Sequence, residues 1–352
     1  MNIIHISPFG EGFNIGNFAI ALSVRKWIYK IYGHSANIIT LPAMAEHLNC
    51  GLTKKTIYLA NQIADAVIIG GGNLYENNEL KIDLNALESL SVPLVLFSLS
   101  IGKIYGRDFN LSRRTDVMPD SLLTILNKKA KFSLARDLAT FHHLKNLLPE
   151  AKHITLGGCP TLFLDEWTSS FSFKQTTMKS DICLISIRNP NQMNVPLSVA
   201  NSIPDLINSV NNFVFSKGYK KVKILCHDQR DLIFANSIGI PYVYTSDVYE
   251  YLSLIKSASL VVSMRVHATL PCLALGTPVI NISYDERSLS LLHTIGYADW
   301  DLNLLKSDNI LLDISDRLSL LDIHKMMKQK SETKIIWSKL YEIQQKAILM
   351  LK

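Results

Sequence analysis

Short, almost uninterrupted apolar runs alternate with helical patterns along the whole of this chain. Residues 93–99 (PLVLFSL) form such a run, whereas residues 18–32 carry apolar side chains at helical spacing and stop at Gly33. Strands without polar alternation are buried on both faces, as in parallel sheets that helices cover on each side. The alternation therefore predicts an α/β fold with mainly parallel sheets.

The strand-like runs fall into two sets, which predict two Rossmann-like domains, residues 1–165 and 180–352. The first set occupies residues 2–7, 36–41, 66–69, 93–99, 132–135 and 153–156, and the second 182–187, 221–226, 242–244, 260–263 and 279–282. Between them, residues 157–180 break the rhythm with glycines, a proline and a polar run. Open α/β sheets bind ligands beyond the carboxyl ends of their strands, so we expect the site in the cleft between the domains.

Composition excludes several classes of function. The formal charge of +6 is spread without a Lys/Arg stripe, which argues against nucleic acid and suits a small anionic ligand. The five cysteines are widely spaced without a CxxC pair, so neither structural zinc nor a disulfide framework is expected. No signal peptide and no membrane-spanning run is recognisable, and we expect a cytoplasmic protein.

The C-terminal residues 332–351 predict one long amphipathic helix. Its apolar face carries Ile335, Ile336, Leu340, Ile343 and Ala347. We expect this face to pack across the domains, and the nearby lysines leave peripheral contact with the inner face of a membrane as the alternative.

The strongest local signal is the sequence SMRVH at residues 263–267, between an apolar strand and a helix. Arg265 and His267 thereby lie at a helix N-terminus, whose free N–H groups and positive dipole end attract anions. An arginine fork adds bidentate contacts to phosphate or carboxylate, and histidine transfers protons near neutral pH. Alternatively, these two residues only stabilise the strand-to-helix turn and have no role in binding or catalysis.

Other strand ends of the second domain point into the same cleft. Arg188 ends the first strand of that domain, and His227 ends the next strand, where Asp228 alternatively begins a capped helix. Tyr284 and Arg287 follow the strand at 279–282, and either line the pocket or form a surface turn.

Three permissive loops follow strands of the first domain. They read NIGN (residues 14–17), GGGN (70–73) and SLSIG (98–102). Glycine lets a ligand approach the backbone closely, although none of the three matches a dinucleotide or P-loop fingerprint. Asn17 is alternatively a helix N-cap, and the adjacent Arg136 and Asp137 suggest a structural ion pair or cap. No carboxylate cluster with metal-ligand spacing is visible.

The order of these motifs resembles the polysaccharide pyruvyl transferase family along nearly the whole chain. The series NIGN, GGGN, SLSIG, ARD, GGCPTLF, SIR and CHD leads to SMRVHATLPCLALGTPVINISY at residues 263–284. That last segment is similar to the family's S-x-R-x-H segment, with its following small-Gly-x-Pro turn and tyrosine. The resemblance implies a GT-B-like arrangement and transfer of the pyruvyl group of phosphoenolpyruvate onto a sugar as a ketal.

The resemblance also implies roles for the candidate residues. Arg265 and His267 correspond to donor-binding and catalytic positions, with His267 protonating the methylene carbon, and Arg188 to a further donor-binding arginine. By its position we add His227 to the donor side. The acceptor side takes the first-domain residues Asn14, Gly16, Asn17, Gly71, Gly72, Asn73 and Ser100. Phosphoenolpyruvate and a sugar or lipid-linked saccharide are then the expected partners, with no metal and no cofactor.

Two other functions remain open at this point. A GT-B glycosyltransferase that uses a nucleotide sugar would have the same fold, because fold alone does not fix function. A non-catalytic subunit of a polysaccharide assembly complex is the second, supported by changes in the first-domain loops such as Asn17 where the family usually has Asp.

Overall fold

The computed structural model describes residues 1–8, 14–43, 50–170, 180–319, 325, 328–329 and 331–352. Within these residues the chain forms two six-stranded sheets, and every strand pair in both is parallel. The predicted α/β class with mainly parallel sheets is confirmed.

The first sheet is built from the amino-terminal half of the chain. Its strands are β1 (Asn2–Ser7), β2 (Asn37–Pro42), β3 (Ala66–Gly72), β4 (Leu94–Leu99), β7 (Phe132–Ala135) and β8 (Ile154–Leu156), in the order β2-β1-β3-β4-β7-β8. A small antiparallel hairpin joins β5 (Ile104–Tyr105) to β6 (Leu111–Ser112). The helices are α1 (Ile15–Tyr32), α2 (Lys54–Ile63), α3 (Leu84–Glu88), α4 (Asp120–Lys129) and α5 (Leu138–Leu147).

The second sheet has the strand order usual for a Rossmann fold. Its strands are β9 (Ser180–Ser186), β10 (Lys221–Cys226), β11 (Tyr242–Tyr244), β12 (Ala258–Ser263), β13 (Val279–Ser283) and β14 (Leu302–Asn303), in the order β11-β10-β9-β12-β13-β14. The helices are α6 (Leu197–Ser216), α7 (Gln229–Ile238), α8 (Val248–Ser257), α9 (Val266–Leu275), α10 (Glu286–Thr294) and α11 (Ile310–Arg317).

One hydrophobic core runs through the junction of the two sheets. Helix α1 of the first half packs against α8 and α9 of the second, and Trp27, Tyr251 and Leu270 belong to the same buried cluster. The indole of Trp27 lies 4.6 Å from the ring of Tyr341 in the C-terminal helix, centroid to centroid. Because this buried cluster contains side chains from both halves, its close packing fixes the orientation of one sheet relative to the other.

The C-terminal helix (Lys334–Leu349) returns from the second half to pack on α1 and on β4, β7 and β8 of the first sheet. Trp337 donates from Nε1 to the carbonyl of Ile295, and Gln344 donates from Nε2 to the carbonyl of Gly157. The helix therefore bridges the two halves as expected. Of the predicted apolar face, however, only Leu340 and Ala347 are buried, whereas Ile335 and Ile336 are exposed. No helix among the described residues is long and apolar enough to cross a membrane.

The segment in which we expect the domain boundary is described only in part. Pro160–Ser170 form a 3-10 helix with a kink at Phe163, and residues 171–179 lie outside the described residues. The boundary itself stays a prediction.

Each sheet reverses its strand order once, and the two reversals face each other. In the first sheet β2 lies on one side of β1 and β3 on the other. In the second sheet β10 lies on one side of β9 and β12 on the other. Ligands of open α/β sheets bind in the crevice at such a point, beyond the carboxyl ends of the strands.

Candidate active site

A cavity of about 290 Å³ opens where the two points of strand reversal meet. Pro8 and Asn73 line it from the ends of β1 and β3, and Arg188 and Met264 from the ends of β9 and β12. Small-molecule sites typically have volumes of roughly 300–1,000 Å³, so this cavity suits a small ligand. Among the described residues its ionisable lining consists of five arginines, three carboxylates, one histidine and one tyrosine: Arg136, Arg188, Arg230, Arg265, Arg287, Glu79, Asp228, Asp285, His267 and Tyr284.

Arg265 is the N-cap residue of α9 and is held by buried partners. Its Nε donates to the carbonyl of Ile187 over 2.6 Å, and its Nη2 pairs with the Asp231 carboxylate at 2.5 Å. Asp231 also accepts hydrogen bonds from the backbone N–H groups of Asn189 and His227. The fork of Arg265 is thus neutralised on one side and fixed in place at the cavity wall.

His267 is neutral in this site, with its proton on Nε2. Its Nδ1 lies 2.8 Å from Nδ2 of Asn14, and Oδ1 of Asn14 accepts from the backbone N–H of Gly16 at 3.1 Å. A backbone N–H only donates, so the amide turns its NH₂ towards the imidazole and Nδ1 must accept. Burial lowers the pKa of His267 well below its usual value.

The arginines around His267 lower its pKa further. In order of effect they are Arg136, Arg265, Arg287 and Arg188, each of which repels an imidazolium. A bound anion would offset this repulsion and make protonation of His267 easier.

Two guanidinium groups in the cavity have no hydrogen-bond partner among the described residues. Arg188 makes no ion pair there either, its Nε is enclosed, and burial lowers its pKa. Arg136 is 3 % exposed, and its closest carboxylate is that of Asp137, 3.9 Å from Nε. Buried charges are normally held by close, hydrogen-bonded partners. One cation without an ion pair and a second with only a long one therefore indicate an anionic ligand at this cavity.

Arg287 belongs instead to a paired network at the edge of the cavity. It forms ion pairs with Asp285 and, across the interface, with Glu76 at 3.0 Å. Glu76 also pairs with Arg114 at 3.2 Å, and its Oε1 accepts from the backbone N–H of Gly102. These contacts join the loop after β3 to the start of α10 and fix the separation of the cavity walls.

The side chains that line the cavity come from distant parts of the sequence, from Pro8 to Ser288. The family model described as polysaccharide pyruvyl transferase matches residues 14–286, which is most of the chain. The chain belongs to the polysaccharide pyruvyl transferase family. Membership makes it a transferase, as expected. A comparison with curated proteins finds no match.

Solved structures share the fold of this family member. S. aureus MnaA in complex with UDP has a TM-score of 0.58 at 12% identity, covering 94% of this chain and 90% of that one. UDP-GlcNAc 2-epimerase from Neisseria meningitidis, bound to UDP-GlcNAc, has a TM-score of 0.58 at 12% identity, covering 97% and 100%. Likeness at this identity concerns the fold alone, and it supports the GT-B-like arrangement of two α/β halves.

Several residues that the sequence suggests for the pyruvyl transferase site do line the cavity. Arg188, Arg265 and His267 do so from the second sheet, and Asn14, Asn17 and Asn73 from the first. Asn17 lies inside α1, whose N-cap is Asn14, so the interpretation of Asn17 as the cap is wrong.

His227 is not part of the cavity lining. Its ring is fully buried behind the wall, where Nε2 meets Oγ of Ser186 at 2.8 Å. Its carbonyl accepts from the N–H of Ile15 and so helps to join the two halves. Burial, together with Arg265, lowers the pKa of His227 well below its usual value, which is consistent with a neutral structural imidazole.

The glycines predicted for the acceptor side serve close packing instead of contact with the cavity. A Cβ on Gly16 would lie 2.2 Å from Cβ of His267, and one on Gly71 would lie 2.0 Å from Cγ2 of Ile20. Gly71 and Gly72 also have φ angles of 75° and 89°. Ser100 is buried, and its backbone N–H and its hydroxyl both donate to the carbonyl of Gly72.

Glu79 and the position of Arg136 in the cavity wall were not predicted from the sequence. Asp137 does cap α5 by accepting from the N–H of Thr140, but its neighbour Arg136 lines the cavity. The position of Arg136 directly after β7 was the available signal, because the other cavity arginines also follow strands. Glu79 lies seven residues beyond the end of β3, where no local pattern marks it.

Proposed function

We propose that this family member transfers the pyruvyl group of phosphoenolpyruvate onto a sugar of a polysaccharide, or of its precursor, as a ketal. The observation that carries the proposal is that Arg136 and Arg188, whose guanidinium groups have no hydrogen-bond partner among the described residues, reach one cavity from opposite sheets. Phosphoenolpyruvate has a phosphate and a carboxylate on adjacent groups, so it offers two anions to two arginines.

Donor binding would use the second-sheet side of the cavity. Arg188 and the N-terminus of α9 would hold the phosphate, because free N–H groups and the helix dipole favour anions there. Arg136 would approach the carboxylate from the first sheet. Arg265, already tied to Asp231, would present a prepositioned fork rather than a mobile one.

Binding of this donor would also prepare His267 to act as an acid. The negative charges of the donor offset the four arginines that lower the pKa of His267 in the empty site. A sugar hydroxyl then adds to C2 while C3 receives a proton from His267. The C2–O bond to phosphate breaks with its electron pair, phosphate leaves, and a second hydroxyl closes the ketal.

Protons and charge balance over the reaction. The two hydroxyls release two protons, of which one replaces the proton given to the methyl group and the other leaves with phosphate. Fixed positive charge beside the developing anion stabilises such a transition state by several kcal/mol. No external oxidant, metal or cofactor enters this proposal.

The acceptor would lie against the first-sheet wall, where Asn14, Asn17 and Asn73 offer amide groups to sugar hydroxyls. We include a lipid-linked saccharide as an acceptor, with the protein acting in the cytoplasm at the inner face of the membrane.

Thermal-shift titration distinguishes this function from nucleotide-sugar transfer. A ligand that binds only the folded state raises the melting temperature, so phosphoenolpyruvate should stabilise the protein saturably. UDP and UDP-GlcNAc should leave the melting temperature unchanged. Stabilisation by the nucleotides alone would favour a glycosyltransferase.

A further inference from the structure

Glu79 lies on the first-sheet wall of the cavity, at the end of the loop that follows β3. Its backbone N–H donates to the carbonyl of Glu76 at 3.0 Å, which closes a tight turn. Asn77 and Asn78 within that turn have left-handed φ angles of 55° and 53°. A turn of this kind is costly for residues other than glycine, and it directs the following side chain to the cavity.

One carboxylate oxygen of Glu79 has no partner among the described residues. Its Oε1 accepts from Nδ2 of Asn77 at 3.1 Å, while Oε2 is enclosed and makes no hydrogen bond. An unsatisfied, enclosed oxygen costs free energy unless a ligand supplies a donor.

The charged groups around Glu79 come from both halves of the molecule. Burial raises the pKa of Glu79 to about 7, Glu76 acts in the same direction, and Arg287 and Arg114 oppose it. Arg230, on the second half, is close enough for the Glu79 carboxylate to stabilise its charge. A carboxylate that titrates near neutral pH exchanges protons readily under physiological conditions.

The other two carboxylates of the cavity are already committed. Asp228 caps α7 through the N–H of Arg230 and pairs with the guanidinium of that residue. Asp285 caps α10 through the N–H of Ser288 and pairs with Arg287. Of the three cavity carboxylates, Glu79 alone keeps an oxygen without a partner in the described part of the chain.

We propose that Glu79 is the general base of the acceptor side, which removes the proton from the sugar hydroxyl that attacks C2 of phosphoenolpyruvate. This inference rests on the proposed function. As the new C2–O bond forms, the hydroxyl O–H bond breaks and its proton passes to Oε2. Glu79 then returns the proton to the departing phosphate, while C3 takes its proton from His267 at the opposite wall.

The test compares Glu79→Gln and Glu79→Asp with the wild-type protein. Phosphate release from phosphoenolpyruvate is followed with a panel of nitrophenyl hexosides as acceptors, between pH 5.5 and 9. The ratio of wild-type kcat/KM to that of Glu79→Gln should show an acidic limb and rise with pH through an apparent pKa near 7, because only the wild type needs an ionised Glu79 and the contribution of His267 cancels. Glu79→Gln should lose about 10²- to 10⁴-fold in kcat and lose this acidic limb.

Two controls separate a lost base from lost structure. Glu79→Asp keeps a carboxylate and should recover part of the activity together with the acidic limb. Asn77→Ala removes the hydrogen bond to Oε1 of Glu79, together with the one that Arg114 donates to Oδ1 of Asn77, but it keeps the Glu79 carboxylate. It should lower kcat far less than Glu79→Gln. Calorimetric affinity for phosphoenolpyruvate should be kept in Glu79→Gln, because removal of a negative charge does not weaken anion binding.

Each outcome decides a different claim. If the wild type is active and Glu79→Gln has the same kcat and the same pH dependence, the assignment of Glu79 is overturned while the proposed function stands. A wild type that neither binds phosphoenolpyruvate nor releases phosphate with any hexoside would overturn the proposed function, and this inference with it.

Discussion

The amide of Asn14 in the first half of the chain is hydrogen-bonded to the imidazole of His267 in the second, with 2.8 Å between Nδ2 and Nδ1. Because the other end of the amide accepts from Gly16, this contact selects the neutral Nε2–H tautomer. Protonation of His267 requires an acceptor at Nδ1, so the amide must turn over or move away. The protonation state of His267 is thereby coupled to the contact between the two halves.

Substitution of Asn14 tests that coupling. Asn14→Asp supplies an acceptor to Nδ1–H and adds a negative charge, so the pKa of His267 should rise towards or above its usual value. The measurement is a ¹⁵N NMR titration of the histidine ring nitrogens, assigned with His267→Gln. A His267 signal whose tautomer and pKa are the same in wild type and Asn14→Asp would contradict the hydrogen-bond assignment.

Arg188 and Arg265 should respond differently to loss of their charge. Arg188→Met removes an unpaired cation, so donor affinity should fall by about 1.5–3 kcal/mol, roughly 10- to 150-fold, without loss of stability. Arg265→Met leaves the buried Asp231 carboxylate without its counterion, so the free energy of unfolding should fall by about 3–5 kcal/mol. Calorimetry with phosphoenolpyruvate and denaturant unfolding measure the two effects.

Arg113→Met serves as the control, because Arg113 pairs with Asp120 at the exposed surface and should change neither quantity. If Arg188→Met instead unfolded as early as Arg265→Met and bound the donor normally, Arg188 would be structural.

Donor binding should take up protons at pH 7. The pKa of His267 is lowered in the empty site by burial and by Arg136, Arg265, Arg287 and Arg188, so the imidazole is neutral there. An anionic donor raises this pKa. Binding therefore takes up protons at pH values between the pKa of His267 in the free protein and its pKa in the complex. Affinity should therefore weaken as pH rises through the bound pKa.

Calorimetry in buffers of different ionisation enthalpy counts these protons. Glu79 has a raised pKa and also gains protons beside an anion, so the comparison uses Glu79→Gln with and without His267→Gln. Uptake of up to one proton should disappear with the second substitution. Equal uptake in both proteins would exclude His267 as the group that is charged by the donor.

A methyl group at Gly16 should separate the two halves. The Cβ of Gly16→Ala would lie 2.2 Å from Cβ of His267 and 2.4 Å from its Nδ1, so α1 or α9 must move. Overpacking of this kind costs about 1–3 kcal/mol, which a fall in melting temperature would reveal. Turnover should fall as well, because the same shift breaks the contact with Asn14. Gly239→Ala is a control without a steric clash: the space around its Cβ is open, and its own cost comes from the left-handed φ of 76°, far from the cavity contact. Its turnover should therefore stay at the wild-type level. Stability and turnover of Gly16→Ala equal to those of the wild type would contradict the close packing.

The sequence predicted the fold well because both sheets consist of strands buried on both faces. The strand Phe132–Ala135 coincides with the predicted run at 132–135, and the helix Val266–Leu275 begins within the SMRVH segment, as predicted. Short helices with weak patterns, such as Leu84–Glu88, escaped notice because tertiary contacts, not local propensity, stabilise them.

The candidate site was predictable where charge follows a strand directly. Arg188 and Arg265 lie at the predicted sheet edge, since the carboxyl ends of parallel strands share one side. The sequence could not distinguish a glycine that admits a ligand from one that admits a neighbouring helix. Gly16 and Gly71 are of the second kind, and their contacts join residues far apart in the chain.

The most direct test of the account follows both products of the proposed transfer. The protein is incubated with carbon-labelled phosphoenolpyruvate and hexoside acceptors, while released phosphate is measured and the acceptor is analysed by mass spectrometry. One phosphate should be released for each labelled pyruvyl group bound to the acceptor as a ketal, and both signals should be lost in His267→Gln. Transfer of a sugar from UDP-GlcNAc, with phosphoenolpyruvate left intact, would contradict the proposed transfer.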